Sequence, residues 1–406
     1  MTADTRPPVG RVLFVTHNIP RFPGDAAGSF VLRLAVALRN AGVEVDLLAP
    51  GSPELSGVDV IEGIEIERVR YAAPEHMTLA YSGRMAEDVR ASWGGRFALA
   101  GLLYHMRRRI RKRVQHTIRQ GRPYDIVHAH WWFPSGLSAW SAGVGASLPV
   151  PMVITMHGSD VRLAQGVGAS HGVMRRVLQR ATVVTAVSRW LAGAAMQIVP
   201  GVNVVVGPMP VDSRVFQLPH TNQPRHGVLF VGRLNAQKGV ADLLAAFAAM
   251  RDRSVTMHVV GDGPDAEALR RQSEQLGIAG RVRWLGVLKQ ADLVPLYQQA
   301  AVLAIPSREE GLGLVAVEAQ MCGAPVVAYA SGGLTDVVLP ESGGTLITTG
   351  SITALTAALD SFAADDDDAR ERGRIAAVTA RAAMIDSFSP SAVAARYLAL
   401  YKQAKG

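Results

Sequence analysis

The sequence predicts an α/β protein with two doubly wound, Rossmann-like domains. The chain has 406 residues, which is too long for one ordinary core and favours two domains of about 150–200 residues each. Short apolar runs typical of buried parallel strands alternate with helical segments, and this alternation restarts after a proline-rich linker at residues 211–227. With 49% hydrophobic and 19% charged residues, the composition is that of a globular chain.

The first half of the chain alternates strands and helices from its first apolar run onward. That run is Val12-Leu13-Phe14-Val15, and a loop rich in glycine and proline follows it at residues 16–28. Apolar residues then recur at helical spacing from Phe30 to Leu38. Further strands are predicted at Val43–Leu48, Ile126–His128, Val153–Met156 and Val183–Ala186. Helical segments between these strands indicate a doubly wound sheet.

The second half repeats this architecture without repeating the sequence. Strands are predicted at 228–231, 255–260, 282–285, 302–305 and 325–328, with a helix at 240–250. Ligands of open α/β sheets lie beyond the carboxyl ends of the strands. We therefore expect a cleft lined by the strand-end loops of both halves.

The net positive charge of the chain is concentrated in its first half. The formal net charge is +8, but residues 1–200 carry +9 and residues 201–406 carry −1. Eight basic residues lie in the acid-free window 107–122. A diffuse nucleic-acid-binding surface has a different pattern, so we expect no nucleic-acid partner. The sole cysteine, Cys322, excludes a disulfide framework and a cysteine-based zinc cluster.

Residues 93–122 allow two interpretations. Apolar and aromatic side chains from Trp93 to Met106 precede or overlap the basic run. That combination fits an interfacial helix on anionic lipid, and it equally fits a solvated helix whose apolar stripe packs on its own domain. The N-terminus has no apolar signal region, and the chain has no uninterrupted apolar stretch of about 18 residues. We expect a cytoplasmic protein, peripheral to the inner face of the membrane if the first interpretation holds.

Two cations follow the first strand of the second half. Arg233 and Lys238 lie five positions apart, and Lys238 is one of only five lysines in the chain. A guanidinium fork and a compact ammonium together suit a diphosphate. The alternative is two surface cations beside a helix start.

A glycine-rich segment, Ser307 to Glu318, follows a later strand. Gly311 and Gly313 would leave backbone N–H groups open at a helix start, where anions bind. Glu310 is expected in the loop, and Glu318 about two turns into the helix. Carboxylates accept hydrogen bonds from hydroxyls, so this pair suits a sugar and a ribose. A capping acid would explain Glu310, but a carboxylate between Val317 and Ala319 needs a partner.

Four segments together resemble the family 4 retaining glycosyltransferases, which have the GT-B fold of two Rossmann domains around a deep cleft. These are Gly-Arg-x4-Lys-Gly from Gly232, Val-Val-Gly-Asp-Gly-Pro through Gly263, Pro-Ser-x2-Glu-Gly-x-Gly-Leu-Val-x2-Glu-Ala from Pro306, and Cys-Gly-Ala-Pro-Val-Val-Ala from Cys322. Order, strand context and spacing match over residues 228–340, and weaker matches cover most of residues 11–212.

The resemblance implies a role for each matching residue. Arg233 and Lys238 would hold the donor diphosphate and stabilise the leaving nucleoside diphosphate, together with Gly232. Glu310 would face the donor sugar and Glu318 would bind the ribose. Gly311, Leu312, Gly313 and Leu314 would contact the phosphates or the sugar, and Gly263 would lie near the nucleotide base.

The resemblance also implies roles in the first half. Residues 1–212 would form the acceptor-side domain, residues 213–388 the donor domain, and residues 389–406 a helix crossing back to the first domain. His157 would lie near the reacting centre, although a hydrogen-bonded loop histidine is the ordinary alternative. Gly28 would approach donor and acceptor. His128, His130 and His157 are too scattered in the sequence to indicate a metal, so we expect neither a metal nor a cofactor.

The implied reaction moves a sugar from a UDP- or GDP-sugar to a hydroxyl of a glycan, lipid-linked or small-molecule acceptor, with retention of the anomeric configuration. Cell-envelope polysaccharide biosynthesis is the expected setting. A sugar-nucleotide epimerase of the same fold, which would be expected to lack the two cations and two glutamates, is one alternative. A non-catalytic nucleotide- or glycan-binding module, which would not need them, is the other.

Overall fold

The computed structural model describes residues 9–77, 79–81, 85–220, 224–340, 343–363 and 367–406. Two compact units make up the chain: unit 1 runs to Pro210 and includes Pro390–Gly406, and unit 2 is Val211–Ser389. Each unit holds one largely parallel sheet flanked by helices. The predicted fold class, two Rossmann-like α/β domains, is confirmed.

Unit 1 contains an eight-stranded sheet in the order β3-β4-β2-β1-β5-β6-β7-β8, in which only β3 and β4 pair antiparallel. Its strands are β1 (Arg11–Val15), β2 (Glu44–Pro50), β3 (Gly57–Ile61), β4 (Ile64–Val69), β5 (Ile126–His130), β6 (Met152–Met156), β7 (Val183–Ala186) and β8 (Val204–Val206). Its helices are α1 (Ser29–Asn40), α2 (Met85–Ala91), α3 (Trp93–Arg119), α4 (Leu137–Ala142), α5 (Ser159–Gly166), α6 (His171–Arg180), α7 (Arg189–Ile198) and the C-terminal α15 (Pro390–Lys405).

Unit 2 contains a six-stranded parallel sheet in the order β11-β10-β9-β12-β13-β14. Its strands are β9 (Val228–Val231), β10 (Met257–Val260), β11 (Val282–Gly286), β12 (Val302–Ile305), β13 (Val326–Tyr329) and β14 (Thr345–Ile347). Its helices are α8 (Val240–Ala249), α9 (Ala266–Gln275), α10 (Gln290–Gln299), α11 (Leu314–Met321), α12 (Leu334–Val337), α13 (Ile352–Ala363) and α14 (Asp367–Phe388). Its core joins Phe230 and Val259 of the sheet to Phe247 of α8.

The strand orders fix where each unit can bind a ligand. In unit 1 the order reverses between β1 and β5, and in unit 2 it reverses between β9 and β12. At such a reversal, consecutive crossovers leave toward opposite sides and open a crevice at the carboxyl ends of the strands. The loops after these four strands are therefore the expected binding loops.

A buried polar network ties α15 to the sheet of unit 1. The Tyr401 hydroxyl lies 2.7 Å from His128 Nδ1, and His128 Nε2 lies 2.7 Å from Thr155 Oγ1. The Tyr397 hydroxyl donates to the carbonyl of Gly207 at 2.9 Å. These groups are all buried, so losing one partner would leave another polar group unsatisfied. The network explains why the last helix belongs to unit 1 although unit 2 precedes it.

Two features of the elements differ from the sequence prediction. The glycine-rich segment stays a loop through Gly313, whose φ is +90°, and α11 begins only at Leu314. Glu318 therefore lies one turn into the helix, not two. The antiparallel β3–β4 pair and the short edge strands β8 and β14 were not predicted.

Helix α3 combines a buried stripe with an exposed aromatic face. Leu102, Met106 and Ile110 are buried. Trp93, Phe97 and Tyr104 are 71%, 73% and 56% exposed. The apolar stripe packed on its own domain, which the second interpretation of residues 93–122 predicts, is therefore present. The helix also has an exposed aromatic face.

Part of the basic run forms ion pairs within unit 1. Arg113 pairs with Glu67 at 2.7 Å and with Glu65 at 3.1 Å. Arg109 also pairs with Glu67, and Arg122 pairs with Glu44 at 2.9 Å. These three cations have partners within their own unit. Among the described residues, no helix is long and apolar enough to span a bilayer.

Candidate functional site

The loops at the strand-order reversal of unit 2 bring Lys238 and Glu310 together. A short helical turn, Ala236–Lys238, follows β9, and the Asn235 side chain caps it by accepting from the Lys238 backbone N–H at 3.2 Å. Glu310 lies in the loop after β12, and its carboxylate forms an ion pair with the Lys238 ammonium. The Lys238 and Glu310 side chains are 24% and 16% exposed. An ammonium and a carboxylate, both reachable from solvent, therefore meet at the predicted binding edge.

Arg233 lies in the same loop as Lys238, and its side chain is exposed. Its guanidinium makes no hydrogen bond or ion pair with any residue in the described part of unit 2, and only its backbone carbonyl accepts, from the Asn235 N–H at 3.1 Å. Because no carboxylate holds this guanidinium, its fork remains available to a ligand anion. The structure places both predicted cations after β9, one paired and one open.

The glycines of these loops are explained by close backbone approach. A Cβ at Gly263 would lie 2.2 Å from the carbonyl oxygen of Leu234, and one at Gly261 would lie 1.9 Å from that of Gly232. The backbone also joins the two loops, since Gly232 N–H donates to Val260 and Leu234 N–H donates to Asp262. The Gly263 loop therefore fixes the loop that carries Arg233 and Lys238.

Residues 311–314 form a tight turn before α11. Gly313 has a left-handed φ of +90°, and a Cβ there would lie 2.7 Å from the Leu334 side chain. Leu312 is buried, while Gly311 and Leu314 are partly buried. The carbonyl of Glu310 accepts from the Gly333 N–H at 2.8 Å. This turn positions the Glu310 side chain beside the N-terminus of α11.

Glu318 finds partners within its own unit. It is 5% exposed. Its Oε2 accepts from the Tyr297 hydroxyl at 3.2 Å, and its Oε1 accepts from Gln290 Nε2 at 3.4 Å. Burial, followed by the Glu318 charge, raises the pKa of Tyr297 well above its ordinary value. Helix α10 thus supplies the partners that a buried Glu318 was predicted to need. A carboxylate has about four lone-pair sites, so Glu318 can also accept a hydrogen bond from a ligand hydroxyl.

In unit 1, His157 follows β6 and lies against residues of α1 and of the loop after β5. Its ring stacks on Trp131 at a centroid distance of 4.3 Å and packs on Phe30 at 5.0 Å. Its backbone N–H donates to Asp160 Oδ1 at 3.2 Å. Gly28 begins α1 with a φ of +61°, and a Cβ there would lie 2.2 Å from the Asn18 carbonyl oxygen. Gly28 therefore shapes the loop after β1.

The three histidines that look scattered in the sequence form a cluster. The His128 and His130 ring centroids are 4.2 Å apart, and those of His130 and His157 are 5.3 Å apart. His130 Nδ1 lies 3.1 Å from His157 Nε2. The prediction that these three histidines are too scattered to lie together is wrong. Strands β5 and β6 are neighbours, and His128 and His130 share a face of β5. Among the described residues, no group of three or more His, Cys, Asp or Glu could hold a metal ion.

Burial keeps the histidines of this cluster, and His17 near them, uncharged. It lowers the pKa of His130 to about 3 and that of His17 to about 4. The pKa of His157 lies well below its ordinary value, first through burial and then through His130 and His17. The rings are therefore neutral near pH 7, when each has one N–H and one bare nitrogen.

Sequence reasoning missed Trp131 and His130. Trp131 has a left-handed φ of +66°, rare for a bulky residue, and its Nε1 donates to Ser159 Oγ at 3.1 Å. The spacing His128-x-His130 at the end of a predicted strand was the available signal, because residues two apart share a face. Nothing in the sequence indicated the strained backbone at Trp131.

Comparison with known proteins identifies the family of this chain. Residues 26–210 match the family described as "Glycosyl transferase 4-like domain", and residues 216–378 match "Glycosyl transferases group 1". A D-inositol 3-phosphate glycosyltransferase of Xylanimonas cellulosilytica is 32% identical over 94% of this chain and 93% of its own length. A glycogen synthase of Mycobacterium tuberculosis is 28% identical over 97% and 95%.

Solved structures show the same fold. Sucrose-phosphate synthase from Thermosynechococcus elongatus superposes with a TM-score of 0.78 at 23% identity, covering 97% of this chain and 98% of that one. HepE of Anabaena, in complex with UDP and glucose, gives 0.68 at 18% identity over 96% and 99%. The family matches and the fold together define a glycosyltransferase of the GT-B class. The chain belongs to the group 1 glycosyltransferases of family 4.

Proposed function

We propose that the enzyme transfers a sugar from a nucleoside diphosphate sugar, UDP- or GDP-linked, to a hydroxyl with retention of the anomeric configuration. The observation that carries this proposal is the grouping of open Arg233 with the Lys238–Glu310 pair at the strand-order reversal of unit 2. Glu310 and Glu318 offer carboxylate oxygens to sugar and ribose hydroxyls. An epimerase or a binding module would not require this set.

The residues of unit 2 suit stabilisation of a leaving diphosphate. Negative charge develops on the phosphate oxygens as the bond to the sugar breaks, and fixed cations stabilise that charge most in a site shielded from water. Arg233 and Lys238 would supply these cations, so the proposed reaction needs no metal ion. In a front-face reaction the leaving phosphate oxygen takes the acceptor proton, and no covalent intermediate on a carboxylate forms.

The acceptor is proposed to be a glycan, a lipid-linked or a small-molecule hydroxyl compound served by unit 1. The names of the relatives favour this range, since one includes an inositol phosphate and another a glycogen. His157 and the loop that Gly28 shapes are the proposed contributors from unit 1. We propose cell-envelope polysaccharide synthesis on the cytoplasmic side of the membrane as the setting.

The test is release of nucleoside diphosphate from a panel of UDP- and GDP-sugars, with and without acceptors, in buffer containing EDTA. We expect acceptor-dependent release, and an α-linked donor should give an α-linked product by NMR. Isomerised donor would instead identify an epimerase, and tight binding without turnover would identify a binding module. Activity lost in EDTA and restored by a divalent ion would contradict the metal-independent mechanism.

We also propose that the exposed face of α3 binds an anionic membrane surface. Trp93, Phe97 and Tyr104 share a helical face, and the exposed cations Arg107 and Arg108 follow one turn later. Aromatic side chains enter the headgroup boundary, while cations add about 1 kcal/mol each near anionic lipid.

Co-sedimentation with vesicles tests this surface. Binding should rise with the fraction of anionic lipid in phosphatidylcholine vesicles and fall when Arg107 and Arg108 are both changed to Ala. The matched control is Arg175→Ala with Arg176→Ala, an adjacent exposed pair on α6. The proposal would be refuted if vesicle binding did not change with the fraction of anionic lipid, or if both double variants lowered binding equally.

A further inference from the structure

His130 and His157 share one hydrogen bond, so only one of the two rings donates in it. His130 Nδ1 and His157 Nε2 are 3.1 Å apart. Both rings are neutral near pH 7, as argued above, and a neutral imidazole has one N–H and one bare nitrogen. Which ring donates therefore decides which nitrogen of His157 carries its proton.

The surroundings of His130 Nε2 decide the direction. The His130 side chain is fully buried, and its Nε2 has no hydrogen-bond partner among the described residues. The rings of Phe14 and His128 pack on His130 at centroid distances of 4.7 and 4.2 Å. Orphaned buried N–H groups are rarer in proteins than unsatisfied acceptors. The proton of His130 therefore belongs on Nδ1, where it has a partner.

We infer that His130 is a positioning residue that donates from Nδ1 to His157 Nε2 and thereby fixes His157 as the neutral Nδ1–H tautomer. In this state His157 offers an N–H donor at Nδ1 to an oxygen of a bound sugar or acceptor. Its Nε2 already accepts from His130, so no nitrogen of His157 is free to take a proton from the acceptor. His157 then acts as a hydrogen-bond donor and not as a general base.

The packing of His157 supports a fixed orientation. Trp131 and Phe30 lie against its ring, and Asp160 accepts from its backbone N–H. The ring is thus held by α1 and by the loop after β5, and its backbone is held by the first turn of α5. A ring flip would break the bond to His130 and leave His130 Nδ1–H buried without an acceptor.

The direct test is the tautomer of His157 in the ligand-free protein at pH 7. Long-range ¹H–¹⁵N correlation spectra of protein labelled with ¹⁵N-histidine distinguish protonated from bare ring nitrogens. The chain has 11 histidines, and the spectrum of His157→Gln assigns the signals of interest. The expected result is a proton on Nδ1 of both His130 and His157. A proton on Nε2 of His157, or an imidazolium, would overturn the inference.

Variants at His130 supply the second test. An Asn amide nitrogen takes the place of His Nδ1, whereas Leu has a similar size and no donor. His130→Leu should lower kcat by about tenfold, the effect of one lost hydrogen bond, and should release the fixed tautomer in the spectrum. His130→Asn should keep the Nδ1–H tautomer and recover most of kcat. Equal losses of kcat in both variants, with the tautomer unchanged, would show that His130 only supports packing.

The inference rests on the proposed function only for the role of the donated hydrogen bond. If no donor is turned over, the proposed function fails and the tautomer is still measured. If turnover is found and His157 has its proton on Nε2, the inference alone fails.

Discussion

Glu310→Gln should tighten the binding of a nucleoside diphosphate, because Glu310 holds the ammonium that the diphosphate would bind. The side chains of the pair are 24% and 16% exposed, so water screens their attraction in part. Exposed ion pairs contribute about 0–1 kcal/mol, and shielded charge-assisted hydrogen bonds about 1.5–3 kcal/mol. We take about 1 kcal/mol for this pair, which corresponds to about a fivefold lower Kd.

Turnover should move in the opposite direction. The Glu310 carboxylate is proposed to face the donor sugar, so the Glu310→Gln variant would bind the product diphosphate better and orient the sugar worse. Lys238→Ala removes the cation itself and should lower kcat by on the order of 10²-fold or more. In the Lys238→Ala background, Glu310→Gln should no longer tighten diphosphate binding, because its effect acts through the ammonium.

Isothermal titration with UDP and GDP measures these dissociation constants. The matched control is Glu309→Gln, which removes the same charge one residue away, where the carboxylate accepts from Gln237 at 3.1 Å. Equal tightening in Glu309→Gln and Glu310→Gln would assign the effect to net charge. Unchanged or weaker binding in Glu310→Gln, or near-normal turnover in Lys238→Ala, would refute the reasoning.

Three further predictions concern stability. Tyr401→Phe leaves His128 Nδ1 without its partner and should lower the free energy of unfolding by about 1–3 kcal/mol. The control, Tyr104→Phe at an exposed position, should change the free energy of unfolding little. Equal effects of the two variants in urea denaturation would contradict the buried network. Gly239→Ala forces a Cβ to 2.0 Å from the Pro306 carbonyl at a φ of +66° and should destabilise strongly, whereas Gly172→Ala in α6 meets nothing within 4 Å and should stabilise by about 0.5–1 kcal/mol. Because burial lowers the pKa of His130 to about 3 from 6.5, the unfolded chain binds more protons between these values, and stability should fall as the pH drops below about 6.5. In His130→Asn, stability should decrease less as the pH drops. The measurement is the urea midpoint from pH 7 to 5, and an equal decrease in the variant and the unchanged protein would contradict this prediction.

The sequence was most informative where one local pattern decides the structure. Apolar runs such as Val228–Val231 identify buried parallel strands, because both faces of such a strand are covered. The strand-end positions of Arg233 and Glu310 followed from the same runs. The ion pair of Glu310 with Lys238 did not, since β9 and β12 become neighbours only when the crossovers are folded. No local signal specifies that Lys238 and Glu310, in loops separated by about 70 residues, meet.

The elements that were missed depend on tertiary contacts. β14 has only three residues and pairs along β13 at the edge of the sheet. The late start of α11 depends on Gly313, where Leu334 and the left-handed backbone delay the helix. The histidine cluster depends on the pairing of β5 with β6. In each case the residue type is compatible with the observed structure, and a contact with a residue distant in the sequence determines it.

The same distinction separates the residues of the site. Gly261 and Gly263 are explained by backbone contacts between two loops, so the fold requires glycine at these two positions. The charged side chains have no such explanation: the Arg233 guanidinium is open, and Lys238 is paired with Glu310, which the proposed diphosphate would displace. A substitution at a glycine should therefore alter stability and activity together, whereas one at Arg233 should alter activity alone. Arg233→Ala with an unchanged melting temperature and lost turnover is the expected result, and an equally large loss of stability would assign Arg233 to the fold.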